Sequence, residues 1–96
     1  MVIVVEDGGV HMQDPSDFKA FKVVVKEGED PEAIAVVGRL EGADTAWIQI
    51  EAVRRLAGNA VDQAWEDGYD AMLAYARTKG WLHDARREIQ AHVERA

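Results

Sequence analysis

Apolar and polar positions change period midway along the chain. The first half is built from short segments rich in β-branched residues. Residues 2–5, Val-Ile-Val-Val, are too few for a helix and read as a buried strand. Asp7-Gly8-Gly9 is a turn signal, because glycine accepts a positive φ without steric cost, and residues 10–12 can return as a second arm. A polar loop holding Pro15 follows. Phe21, Val23 and Val25 then alternate with Lys22, Val24 and Lys26, the period of a half-buried strand expected from Ala20 onward. Asp30-Pro31-Glu32 supplies a capping acid, a proline at the first helical position and an acid in the first turn. It predicts a short helical turn over residues 31–35 with extended chain after it, although a strand over residues 33–37 fits the same pattern. Residues 45–50 alternate again, with Ala46, Ile48 and Ile50 on one side and Trp47 and Gln49 on the other.

The second half repeats at helical spacing. From Glu51 onward, Ala52, Val53, Leu56 and Ala57 share a face, and Gly58 is placed to end the helix. Residues 59–79 predict the main packing helix, with Asn59 as N-cap and Asp62 in a position like that of a capping box. With Val61 at zero and about 100° per residue, Val61, Ala64, Trp65, Gly68, Tyr69, Met72, Tyr75 and Ala76 all fall within about 80°. Gly68 at the centre of this stripe costs about 1 kcal/mol of helix propensity, which implies close approach of another element there. Gly80 ends the helix. Asp84 then caps a last helix running to about Arg95, with Ala85, Ile89, Val93 and Ala96 on its apolar face and His92 on the flank.

These segments predict one α+β domain over residues 1–96. Its N-terminal half forms a small, mainly antiparallel sheet of three to four strands, covered on one face by about three C-terminal helices. The uncovered face, with Val24 and Trp47 among its residues, then exposes apolar surface, for which dimerisation is the usual remedy.

Charge narrows the partners. The net charge is −7, with ten acids against four bases in residues 1–48 and eight against seven in residues 49–96. Such a surface repels nucleic acid and anionic membranes at long range, so neither is an expected partner. Arg54-Arg55 and Arg86-Arg87 can contact phosphates but read as solvated helix faces with local ion pairs. The chain has no cysteine, which excludes disulfides, thiol catalysis and thiolate zinc sites and makes a reducing cytoplasm the expected compartment. The start, with four apolar residues after Met1 and no basic leader, reads as neither signal peptide nor membrane span.

Candidate chemistry is sparse. Asp62, Glu66 and Asp70 line one helix face at four-residue spacing, which suits a hard cation or paired acids, yet they lie opposite the apolar stripe and read as a solvated face. Asp84, Glu88 and His92 repeat that spacing, but the two-histidine zinc pattern is missing, and a histidine bonded to Glu88 at the core edge fits better. No metal or other cofactor is expected. His11 and His83 can each serve as a general base, but neither has a local partner that identifies a reaction. Gly8-Gly9 lacks the context of a phosphate loop, and Ser16 that of a nucleophile elbow. The aromatic residues are more informative. Trp65 belongs to the core stripe. Trp47, Trp81, Tyr69 and Tyr75, with His83, are the candidate contact residues for a ligand or partner. The expected function is a non-catalytic binding or interaction module, acting as a homo-oligomer or as an accessory to a larger protein. The alternative is a small enzyme or small-molecule binder whose pocket, lined by Trp, Tyr and His, lies at a subunit interface.

Overall fold

Residues expected to form the last helix instead form the longest strand, at the heart of the sheet. In the computed structural model, which describes residues 1–96, the strands are β1 (Val2–Glu6), β2 (Gly9–Gln13), β3 (Lys22–Val25), β4 (Gly38–Glu41), β5 (Thr45–Gln49), β6 (Leu82–His83) and β7 (Glu88–Arg95). Two α-helices, α1 (Ile50–Ala57) and α2 (Gln63–Thr78), interrupt them. The sheet order is β2-β1-β3-β7-β5-β4, with β6 also pairing with β7. β1/β3 and β3/β7 are parallel, and the remaining pairs are antiparallel.

The fold is therefore α+β, but the expected architecture is corrected on two counts. The sheet has seven strands in mixed directions rather than three or four mainly antiparallel ones, and two α-helices rather than three pack with it. Both differences arise at β7. Ile89 and Val93 satisfy a helical spacing, but Ile89, Ala91 and Val93 also satisfy a period of two, and all three are buried on one face. Glu88 and His92 share the other face, about 13 Å apart along an extended chain, so they cannot bond each other as they would on a helix. The left-handed Arg87 (φ 53°) ends a four-residue turn in which its N–H donates to the Asp84 carbonyl at 3.2 Å. That turn pairs β6 with the start of β7.

Other segments follow their local chemistry. Asp30 accepts a hydrogen bond from Glu32 N, and the 3₁₀ turn Pro31–Val36 gives way to β4, as its capping residues predict. Gly58 ends α1 with φ 55°. The main helix starts later than expected. Asn59 lies in a 3₁₀ turn, Gly58–Ala60, and Asp62 is the N-cap, its carboxylate accepting from Trp65 N at 2.8 Å. The core lies between the helices and the sheet face carrying Ile3, Val5, Val23, Val25, Ile48 and Ile89. Trp65 is buried there. Tyr69 is wholly buried, and its hydroxyl donates to the Ile50 carbonyl at 3.0 Å, tying α2 to the start of α1. Arg54 lies over the Tyr69 ring at 5.2 Å and pairs with Glu66 and Glu51. The acidic ladder is thus not a uniform solvent face: Asp62 caps the helix, Glu66 binds Arg54, and Asp70 is exposed. No helix is long and apolar enough to cross a membrane.

Candidate functional site

The end of α2 sets up the site. Gly80 N donates to Arg77 O, Trp81 N donates to Ala76 O, and Gly80 takes φ 78°. This is a Schellman motif, whose reversed chain direction brings the residue after the glycine back against the last helical turn. The residue after the glycine is Trp81, and it meets Tyr75 edge to face at 6.0 Å between ring centroids. The chain then enters β6 beside β7.

β6 and β3 occupy the same side of β7, end to end. β6 pairs with Glu88 and Ile89, while β3 pairs from His92 onward. The ladder is broken between them. Gln90 N donates to Trp81 O at 2.7 Å, and the side chains of Phe21 and Trp81 border the opening. Three cavities follow one another from this break. The first, about 290 Å³, opens on the outer sheet face beside Thr45, Gln90 and His92. The second, about 120 Å³, shares Phe21, Trp81 and Gln90 with the first and reaches Met72, Tyr75 and Ile89. The third, about 390 Å³, shares Phe18, Lys19, Met72 and Tyr75 with the second and extends over Gly68 and Ala71. Through these shared residues the three cavities lie side by side, a slot between the outer face of the sheet and the flank of α2.

The middle cavity is mostly apolar, the first is bordered by Thr45, Gln90 and His92, and two aromatic rings at the rim are exposed. Tyr75 is 57% exposed and Trp81 43%, two of the three large apolar side chains that stand out in solvent. Lys79 Nζ sits over the Tyr75 ring at 5.5 Å, and Lys19 lines the second and third cavities. No aspartate or glutamate lines any of these three cavities. The indole N–H of Trp65 donates to Pro15 O and that of Trp47 to Glu41, whereas that of Trp81 has no acceptor within the protein.

The candidate residues therefore fall into three places. Trp81 and Tyr75 line the slot. Trp47 and His83 meet on the outer sheet face at 6.0 Å, with Arg39 against the Trp47 ring at 5.7 Å. Tyr69 belongs to the core, where burial pushes its hydroxyl well above the ordinary tyrosine range. Phe18, Phe21, Met72 and the two lysines were not singled out from the sequence. Gly68 was the available signal for Phe18, since the packing it implied proves to be that ring.

The outer face offers little free chemistry. Glu88, only 5% exposed, accepts from Arg39 Nε at 3.1 and 3.3 Å and Nη2 at 3.1 Å, and pairs with Arg86 Nε at 3.2 Å. Its hydrogen bonds to Arg39 raise the guanidinium's pKa, holding it charged. A carboxylate so engaged is not placed to act as a base. His83 Nδ1 accepts from Arg86 N, His11 stands 3.8 Å from Glu6 on an exposed hairpin, and Asp84 pairs with Arg77 rather than with Glu88 or His92. No group of three or more His, Asp or Glu side chains is gathered to hold a metal ion. Comparison with family models, curated proteins and solved structures finds no match.

Proposed function

We propose that this protein is a non-catalytic binding module that serves another protein, and that its contact surface is the aromatic slot between β3 and β6. The observation that carries this reading is the pair of exposed rings, Trp81 and Tyr75, standing over a break in the sheet and continuous with apolar cavities. Isolated exposed apolar residues are common, but a contiguous aromatic patch with a concave interior is what interaction sites provide. Against an enzymatic reading stand the walls themselves. His92 is the only histidine among the residues lining the slot, and no aspartate or glutamate lines it.

The test is where binders land. Peptides selected on the folded protein from a random heptapeptide display library are re-tested on the Trp81→Ala/Tyr75→Ala variant. Loss of binding by the folded variant supports the slot. Equal retention by the variant overturns it.

A further inference from the structure

We draw no further inference here: the strongest candidate, the aromatic groove bordered by Tyr75 and Trp81 beside α2, belongs to the site already described, and nothing in the structure shows what covers it.

Discussion

The α-carbon of Gly68 faces the ring of Phe18 so closely that an added Cβ would stand 2.5 Å from Phe18 Cε2 and 2.8 Å from Cδ2. Phe18 in turn meets Trp65 edge to face at 5.8 Å, so the ring is braced on its other side. Gly68→Ala gains about 1 kcal/mol of helix propensity but incurs an overpacking cost of about 1–3 kcal/mol. A net loss of about 1 kcal/mol is expected in urea unfolding. In the Phe18→Ala background the same substitution is expected to be neutral or stabilising, and the double-mutant cycle measures that coupling.

Tyr69 carries a second prediction. Its hydroxyl is buried and bonded to Ile50 O, and burial raises its pKa, so the neutral form is the one the fold holds. A raised pKa means the contribution is present below the unfolded value, about 10, and is lost as pH climbs through the folded one. The difference in tyrosinate absorbance between wild type and Tyr69→Phe is expected to stay at zero until alkaline unfolding. Removing the hydroxyl is expected to cost about 1 kcal/mol.

Acid acts through different groups. Hydrogen bonds from Arg87, with the charge of Arg54, hold Glu51 below its ordinary pKa, and hydrogen bonds from Arg77 do the same for Asp84. Depressed carboxylates stabilise the fold above their unfolded pKa, and the stabilisation is lost as pH falls through the folded value. Thermal midpoints are therefore expected to be flat near neutrality and to fall below about pH 4.5. A Glu51→Gln/Asp84→Asn variant is expected to show a shallower fall over that range.

Trp47 tests the outer face of the sheet. Arg39, His83 and the bond to Glu41 enclose its ring, so little bare apolar surface remains there to demand a second copy. Trp47→Ala is expected to lower stability by about 1–2 kcal/mol and to leave the light-scattering mass unchanged. A mass that halves on substitution would place a second copy on that face.

How much of this was legible in the sequence depended on how local each cause is. The cap at Asp30, the stop at Gly58 and the close approach at Gly68 each rest on a few neighbouring residues, and all three are present. The β-branched run of β1 and the alternation of β5 were equally plain, including the outward direction of Trp47. Residues 84–95 were not legible in this way. Ile89 and Val93 fit two periods, and what decides between them is pairing with β5, 39 to 47 residues away, and with β3, 70 residues away. Asn59 and Asp62 are both good caps, and the intervening 3₁₀ turn selects the second. The slot was hidden for the same reason as β7. It exists only because β3 and β6 abut along one strand, so Phe21 and Trp81, sixty residues apart, become neighbours. The Lys79-Gly80-Trp81 sequence did hold a readable clue, since a glycine stop followed by a large apolar residue signals the contact with Tyr75.

The three indole N–H groups give the most direct measurement. Those of Trp65 and Trp47 are bonded inside the protein, and that of Trp81 is free. In a ¹⁵N–¹H correlation spectrum titrated with a peptide selected on the folded protein, the Trp81 indole signal is expected to move saturably while the other two stay in place. Movement of the Trp47 signal with Trp81 unchanged would contradict the slot as the binding surface and transfer the site to the outer face of the sheet.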